Sequence, residues 1–386
     1  MSDLKRLIEE HDVLIVVGPG GVGKTTVSAA LGLEGARQDR SCLVLTVDPA
    51  RRLAQSLGLE DTGAEEVRVA PGRFVEAGIK LGAGALHAQM LDSRDTWDAL
   101  VERHAPTPEV ARQIMDSPFY AHGSRHLSGS LEYMAMEKLY ELHHEGDHEL
   151  LVLDTPPAAN AIDFLQAPDR LSELLDGRSL QMLLSGLRQA GRMGERLVRF
   201  QRIVLRVMSR FVGTEMFLEL VEFIHSFHSM FEGFRSRAAQ VKTLLRSDRV
   251  GFVVVCSADP SSMEEGLSLA HRLQEENMAV QVFLVNQALD DALAIDEPEA
   301  IGQRVNAHVT RADEAGPLLQ ESCEHYQRAL KRQTQGLQRL RERLVDQETD
   351  PVLVPRFPED VHDLGALATF ADTVGTCMKR HERGSD

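Results

Sequence analysis

The sequence feature that most constrains the fold is a glycine-rich octapeptide at residues 18–25, Gly-Pro-Gly-Gly-Val-Gly-Lys-Thr. It lies between an apolar run that predicts a strand, Val13–Val17, and a helical pattern, Thr26–Gln38. Glycines allow backbone N–H groups to approach phosphate oxygens, and the following helix adds the positive end of its dipole. A glycine-rich turn that binds nothing is the alternative. Because both the pattern and its context match, we favour a phosphate-binding P-loop.

The P-loop motif predicts a role for each of its polar residues. Lys24 would supply a positive charge to the β- and γ-phosphates of a nucleotide, and the Thr25 hydroxyl would bind Mg²⁺. The predicted nucleotide contacts in this segment are Gly20, Gly21, Val22, Gly23, Lys24, Thr25 and Thr26.

Two aspartates follow predicted strands and would complete a hydrolytic site. Asp154 ends the apolar run Leu150–Leu153, so we expect it beside the P-loop, where it and Thr25 would be the metal-binding residues. Asp48 follows the predicted strand Cys42–Val47, at the edge of the sheet where α/β proteins bind ligands, and would direct the attacking water. A turn or capping acid is the alternative for Asp154, and Asp48 taken alone could equally be an ordinary loop acid.

Short apolar runs alternate with longer helical patterns along the whole chain. The predicted strands are Val13–Val17, Cys42–Val47, Leu150–Leu153, Gly251–Val255, Val280–Val285 and Val352–Val354. They are rich in β-branched residues and almost wholly apolar, as is typical of parallel strands covered on both faces. The alternation predicts an α/β fold, with a mostly parallel sheet of P-loop NTPase type and helices on both faces. We expect one domain over residues 1–378 and a solvated tail at 379–386.

Two intervals, at about 80–145 and 165–245, are too long for simple crossovers and are predicted to be helical insertions. In the second, four arginines at helical spacing share one face: Arg199, Arg202, Arg206 and Arg210. A solvated face is the favoured interpretation, and contact with anionic lipid or an acidic partner is the alternative. The Met- and Phe-rich residues 182–234 are interpreted as core, with a groove for apolar clients as the alternative.

Composition argues against several classes of function. Acidic residues outnumber Lys and Arg by 59 to 42, and the resulting formal net charge of -17 disfavours nucleic-acid binding. The four cysteines, Cys42, Cys256, Cys323 and Cys377, form no CxxC pair, which argues against a cysteine-based zinc site and a disulfide framework. Residues 1–12 lack an apolar signal core, and no apolar run approaches the ~18 residues of a membrane span. We expect a cytoplasmic protein and leave peripheral attachment to a membrane open.

Three histidines, His143, His144 and His148, flank Glu145 and Asp147 just before the strand that begins at Leu150. Their number and spacing are compatible with a metal site. A solvated turn before the strand is the favoured interpretation.

Four segments in this order resemble the ArsA family of ATPases: residues 20–26, 47–50, 154–157 and 285–287. That family contains the arsenite-pump ATPase and the ATPase that targets tail-anchored proteins, and it belongs to the deviant-Walker group with MinD, ParA and nitrogenase iron protein. The resemblance runs from Leu14 to about Leu367. Residues 48–57 and 133–139 most resemble a bacterial branch described as anion-transporting ATPase.

The resemblance implies roles for residues outside the P-loop as well. Asp48 resembles the switch I aspartate that activates water, and Asp154 resembles the Walker B acid that begins switch II. Asn286 resembles the asparagine that reads adenine, while Pro355 and Arg356 resemble the loop that closes over the base; a turn-capping Asn286 is the alternative. The implied ligands are ATP and Mg²⁺, with Asp48 and Lys24 as the catalytic residues. The implied assembly is a homodimer, or a heterodimer with a paralogue.

The chain departs from the family pattern at three places. Pro19 occupies the position of the signature lysine that reaches across the dimer in relatives. Arg51 or Arg52 could supply a substitute charge, although a solvated arginine is the favoured interpretation. The CxxC motif of the dimer's zinc clasp and a clustered cysteine trio for arsenite are missing, so no zinc clasp is expected. In switch II, residues 156–160 read Pro-Pro-Ala-Ala-Asn in place of the Gly-His-Thr pattern.

Together, the motifs and the resemblance predict a Mg²⁺-dependent ATPase that couples ATP binding and hydrolysis to conformational change. Three roles remain open: energising a transporter subunit for anion export, carrying an apolar membrane-protein client, or acting as a positioning scaffold of MinD or ParA type. The missing cysteines weaken arsenite export, and the Met- and Phe-rich insertion supports a carrier. The acidic balance disfavours a scaffold bound to DNA, and no nucleic-acid partner is expected.

Overall fold

The computed structural model describes residues 3–47, 52–59, 65–120, 130–156, 223, 231–290, 312–344 and 350–384. The predicted catalytic residue Asp48, the neighbouring Arg51 and the arginine face of the second predicted insertion lie outside the described residues. The strands of the described part are β1 Val13–Val17, β2 Ser41–Thr46, β3 Val67–Arg68, β4 Ala85–Met90, β5 Leu150–Asp154, β6 Val250–Ser257, β7 Val280–Ala288 and β8 Pro351–Pro355.

The helices of the described part surround these strands in the sequence. They are α1 Asp3–Glu10, α2 Lys24–Arg37, α3 Arg52–Ser56, α4 Pro71–Glu76, α5 Ser93–His104, α6 Pro108–Met115, α7 Ser130–Glu145, α8 Phe231–Leu245, α9 Pro260–Glu275, α10 Ala312–Leu344 and α11 Leu364–Gly384. No helix within these described ranges is both long enough and apolar enough to cross a membrane.

The strands form one sheet in the order β3-β4-β2-β5-β1-β6-β7-β8. All neighbouring pairs are parallel except β3 and β4, which are antiparallel. The central strand β1 is buried along its whole length, as expected for a parallel strand with helices on both sides. The predicted α/β class is confirmed.

Helices cover both faces of this sheet. On one face, α2 packs on β2 and β5, while α11 packs on α2, α1 and β8. The shared core on that face includes Leu14 and Val16 of β1 together with Leu367 and Phe370 of α11. Helix α9 packs on β6 and β7, where Gly266 lies against Val254, Cys256 and Phe283 side chains, and α10 packs on α9. Side chains of a strand alternate between the two faces of a sheet, and the β6 and β7 residues that contact α9 alternate with those in the core under α2 and α11. Helix α9 therefore lies on the opposite face of the sheet.

The predicted strands are all present, and most extend one or more residues beyond the predicted bounds. Two strands were not predicted, β3 and β4, and β4 corrects the start of the first interval, which was expected to be helical from about residue 80. The sequence of β4, Ala-Leu-His-Ala-Gln-Met, contains no β-branched residue, and only two of its six residues are buried. Helix α11 continues through Gly384, so the tail expected at 379–386 is helical up to that residue, and its solvation stays a prediction.

The chain packs as two compact units. The first, unit 1, comprises residues 1–90, 147–161 and 246–386, and contains the sheet. The second, unit 2, comprises residues 91–146 and 162–245. Its described part is helical, from α5 to α8. The single domain with insertions, expected over 1–378, stays a prediction.

Helices α7 and α8 of unit 2 are joined by a buried ion pair. Arg237 Nε donates to Glu137 Oε1 at 2.7 Å, and the guanidinium lies 3.9 Å from the centre of the Tyr140 ring. Burial raises the pKa of the Glu137 carboxyl, and the nearby Arg237 charge opposes that rise. The ion pair and the Tyr140 ring stacked on the guanidinium hold α8 against α7. Either charge alone would be costly to bury without its partner.

Candidate functional site

The register of three parallel strands places an aspartate beside the glycine-rich loop. Asp154, at the end of β5, is level with Val16 of β1 on one side and with Thr46 of β2 on the other. Its Oδ2 accepts hydrogen bonds from Thr25 Oγ1 at 2.7 Å and from Thr46 Oγ1 at 2.9 Å. The residue is only 1% exposed. The predicted pair of Thr25 and Asp154 is therefore in direct contact in the structure.

The next residue along the chain fixes this arrangement. Thr155 donates from its hydroxyl to the Val16 carbonyl at 2.7 Å and from its backbone N–H to the same oxygen at 3.3 Å. Because Val16 lies just before the loop, the carboxyl end of β5 and the beginning of the loop are held together.

The glycines of the loop are required by its conformation and its neighbours. Gly23 has φ of 93°, and a Cβ there would lie 2.5 Å from the Asn286 amide nitrogen. At Gly18, a Cβ would lie 1.9 Å from the Val255 carbonyl oxygen. Any larger residue would strain the backbone or displace β6 and β7, so the loop sequence is dictated by close packing as well as by phosphate chemistry.

The Lys24 side chain lies inside the loop and binds its backbone. Its ammonium donates to the carbonyls of Gly18 at 3.0 Å and Pro19 at 2.8 Å, and the residue is 7% exposed. The stem of the side chain thus spans the loop, and the charge is held within the turn. An ammonium in this position can reach an anion bound by the loop with little loss of side-chain entropy.

Helix α2 begins at Lys24 with the properties of an anion-binding terminus. In this fully described helix the first turn contains no acid, and Gly23 at the N-cap offers no side chain to the free N–H groups. Those N–H groups and the positive end of the helix dipole therefore face the loop.

Two cavities adjoin at this loop. One, of about 480 Å³, is lined by the loop residues 21–26 except Val22, together with Arg52, Thr155 and Pro156. The other, of about 510 Å³, is lined by Asn286, Tyr326, Pro355, Arg356 and Phe357, among others. Both are also lined by Gly23, Thr26, Gln287, Asp360 and Val361. A polar cavity and a second cavity with aromatic side chains, meeting at a helix N-terminus, match the phosphate and nucleoside ends of a nucleotide.

Asn286, predicted as a base-reading residue, lines the second cavity and also braces the loop. Its Nδ2 donates to the Val22 carbonyl at 2.9 Å, and the residue is 5% exposed. Gln287, the next residue, has φ of 57° and lines both cavities. A non-glycine residue in this conformation is uncommon and is often found at functional sites.

The predicted loop at Pro355 and Arg356 follows β8 and forms another wall of the second cavity. The Arg356 N–H donates to the Ala288 carbonyl at 2.9 Å, which joins this loop to the end of β7. The segments after β7 and β8 therefore lie side by side, as the parallel pairing of these two strands requires.

A family model described as "Anion-transporting ATPase" (ArsA ATPase) matches residues 11–315, which are most of the chain and include the P-loop, Asp154 and Asn286. The chain belongs to the ArsA family. It is therefore a P-loop ATPase, and the predicted family and enzyme class are confirmed.

Three relatives show how far the similarity to the ArsA family extends. An uncharacterized protein of Streptomyces coelicolor is 34% identical over 183 residues, which is 46% of this chain and 41% of that protein. The protein named ATPase get3 of Schizosaccharomyces japonicus is 25% identical over 291 residues, 75% of this chain and 78% of the relative. A putative arsenical pump-driving ATPase of Aquifex aeolicus is 32% identical over 164 residues, 40% of this chain and 38% of the relative. The first and third alignments thus span well under half of those relatives.

Three residues in or next to the second cavity were not assigned a role from the sequence. Tyr326 and Gln333 belong to α10, and both bind the segment that follows β7. Gln333 is 3% exposed; it accepts from the Leu289 N–H at 2.8 Å and donates to the Leu289 carbonyl at 3.1 Å, while the Tyr326 hydroxyl donates to the Asp290 carbonyl at 2.9 Å. Phe357 follows the predicted loop and lies 5.4 Å, ring to ring, from Phe370. The sequence signal that could have identified Gln333 is its position as a polar residue on the apolar face of α10.

The structure describes one of the two arginines that were considered as a substitute for the signature lysine replaced by Pro19. Arg52, the first residue of α3, lines the polar cavity together with Lys24 and Thr25. It is exposed, so its side chain is accessible from solvent. Arg51 and Asp48, the other predicted residues of this segment, lie outside the described residues.

Proposed function

We propose that this chain is a Mg²⁺-dependent ATP hydrolase that converts ATP binding and cleavage into a conformational change acting on a membrane protein. That protein is either a client to be delivered or a transporter subunit to be energised. The observation that supports this most directly is the contact of Thr25 and Thr46 with one buried carboxylate, Asp154, at the mouth of the P-loop. In a P-loop NTPase this hydroxyl and carboxylate are the groups that organise the metal of the nucleotide.

The residues present fit Mg²⁺. It prefers oxygen ligands, and Thr25 would bind it directly while Asp154 would accept hydrogen bonds from its water. When bound, the metal neutralises charge on the β- and γ-phosphates. The Lys24 ammonium would exchange its two loop carbonyls for phosphate oxygens, and the loop N–H groups would hold the remaining oxygens.

Asp48 is proposed to orient the attacking water and to take its proton. The water oxygen forms a bond to the γ-phosphorus as the bond between that phosphorus and the β–γ bridging oxygen breaks, which yields ADP and inorganic phosphate. Asp48 is two residues after Thr46, whose hydroxyl is bound to Asp154. A change at the γ-phosphate could therefore reach both aspartates through neighbouring strands.

The route of conformational coupling is proposed to follow the chain out of β5. Thr155 is fixed to Val16, and unit 2 resumes at residue 162, a few residues further on. A shift of Asp154 would thus be transmitted to the segment that leads into unit 2. A homodimer, or a heterodimer with a paralogue, and a cytoplasmic location remain part of this proposal.

Replacing Arg52 with alanine should lower kcat/KM for ATP by roughly 10- to 100-fold, because a charge-assisted hydrogen bond to phosphate contributes roughly 1.5–3 kcal/mol. Phosphate release by purified wild-type and variant chains measures this. Arg52→Lys should retain much of the activity because it keeps the charge. Equal activity of all three proteins would show that Arg52 is an ordinary solvated arginine.

The proposed output is tested by capture with an ATP-trapping variant. We expect Asp48→Asn to bind Mg·ATP without hydrolysing it, and to retain its partner when detergent-solubilised membranes are added. Recovery of proteins with apolar tails supports delivery, and recovery of one transporter subunit supports transport. Lys24→Ala, which should not bind ATP productively, is the matched control. Recovery of the same partners with both variants, or of none in the presence of measurable wild-type ATP turnover, contradicts the proposal and favours a positioning scaffold.

A further inference from the structure

A second group of potential ligands lies in unit 1, at the opposite end of the strands from the P-loop. Its members are Glu66, just before β3, His87 of β4 and His148, two residues before β5. Each offers one ligand atom, and these three atoms lie within 4.8 Å of one another. The sequence grouped His148 with His143 and His144, whereas the fold brings it to residues far away in the chain.

The distances are close to those of a metal site. His148 Nε2 lies 3.1 Å from Glu66 Oε2, and His87 Nε2 lies 3.8 Å from Glu66 Oε1. Ligands bound tetrahedrally to Zn²⁺ at about 2.1 Å are roughly 3.4 Å apart. Small side-chain rotations would therefore bring all three atoms to bonding distance, without movement of the sheet.

One of the two histidines, His148, is also held in place as metal ligands usually are. The second ring nitrogen of His148, Nδ1, lies 3.1 Å from the Ser41 hydroxyl at the start of β2. The His148 side chain is 8% exposed and the His87 side chain 14%, while Glu66 is 38% exposed and leaves the cluster open to solvent. A hydrogen-bonded second nitrogen orients the ring and directs Nε2 towards the metal.

We propose that Glu66, His87 and His148 bind one divalent first-row transition metal ion, with Zn²⁺ the best match to this donor set. Two imidazoles and one carboxylate are a known catalytic set for Zn²⁺, and a fourth position remains for water or another ligand. The ion would link the edge strand β3 and its neighbour β4 to the segment before β5. It is separate from the oxygen-lined position at Thr25 and Asp154, whose donors suit Mg²⁺.

The test is calorimetric titration of Zn²⁺ into the full chain, stripped of metal and free of nucleotide. We expect one equivalent to bind, and affinity to fall by about tenfold or more in His87→Ala, His148→Ala and Glu66→Gln, with a smaller loss in Ser41→Ala. The matched control is His362→Ala, which removes an exposed histidine that lies 3.9 Å from Asp363. Lys24→Ala should bind Zn²⁺ as the wild type does, because the P-loop is not involved.

Glu66→Gln keeps the test decisive if a histidine variant fails to fold, because Glu66 is the most exposed of the three. Two results would overturn the proposal. One is wild-type Zn²⁺ binding no stronger than that of correctly folded Glu66→Gln. The other is an equal loss of affinity in His362→Ala, which would show that the titration reports surface histidines in general.

Discussion

Lys24→Ala should reduce ATP turnover by on the order of 10³-fold. Two losses combine. The variant lacks the charge that would stabilise the transferring phosphate, and it also lacks the ammonium that ties the carbonyls of Gly18 and Pro19 together across the loop. Steady-state phosphate release measures the first loss, and calorimetry with a non-hydrolysable ATP analogue measures the effect of both on binding.

The control for Lys24→Ala is Lys80→Ala, which removes an exposed lysine after α4. We expect its turnover to match that of the wild type. Far-ultraviolet circular dichroism should show that the Lys24 variant is folded, since the strands and helices around the loop do not depend on this side chain. Turnover by a folded Lys24→Ala variant within a few fold of wild type would refute the assignment of the site.

Asp154→Asn should reduce turnover by on the order of 10²–10³-fold and should raise the Mg²⁺ concentration needed for half-maximal activity. The amide has nearly the shape of the carboxylate, and its oxygen can still accept from Thr25 and Thr46. The variant should therefore fold normally, so that the loss reflects the missing negative charge. Phosphate release measured over a Mg²⁺ series distinguishes a weaker metal site from a slower chemical step.

Thr46→Val is the matched comparison for Asp154→Asn. It removes the 2.9 Å hydrogen bond to Oδ2 but keeps the charge and the bond from Thr25. Since a hydrogen bond to a charged group contributes about 1.5–3 kcal/mol at most, we expect a loss nearer tenfold, with little change in the Mg²⁺ requirement. An Asp154→Asn variant that is no less active than Thr46→Val would show that the carboxylate has only a structural role.

The central part of the fold was predictable because its sequence signals are local. Strand β1, the loop at residues 18–25 and the start of α2 are contiguous, so periodicity and glycine placement defined them together. The position of Asp154 was predictable for a related reason. An acid that ends a buried parallel strand must lie at the carboxyl edge of the sheet, where the P-loop also lies.

The outer part of the site was less predictable because it depends on contacts between distant segments. Gln333 lies 44 residues from its partner Leu289, and its position on the apolar face of α10 indicates burial but not which distant segment it binds. Strand β4 was missed because Ala, His and Gln have weak strand preference, and its position follows from pairing with β2. His148 was grouped with its sequence neighbours for the same reason: only the strand order brings it to His87.

The attachment of α10 to the segment after β7 has a consequence for how the chain can be divided. The family match ends at residue 315, but Tyr326, Gln333 and the Pro355–Val361 segment lie beyond that point. A fragment cut where the match ends would keep most residues of the polar cavity at the P-loop and would lose much of the wall of the second cavity. If the second cavity holds the nucleobase, as predicted for Asn286, such a fragment should select among nucleobases less well than the full chain, because it keeps Asn286 but lacks Tyr326, Arg356 and Phe357.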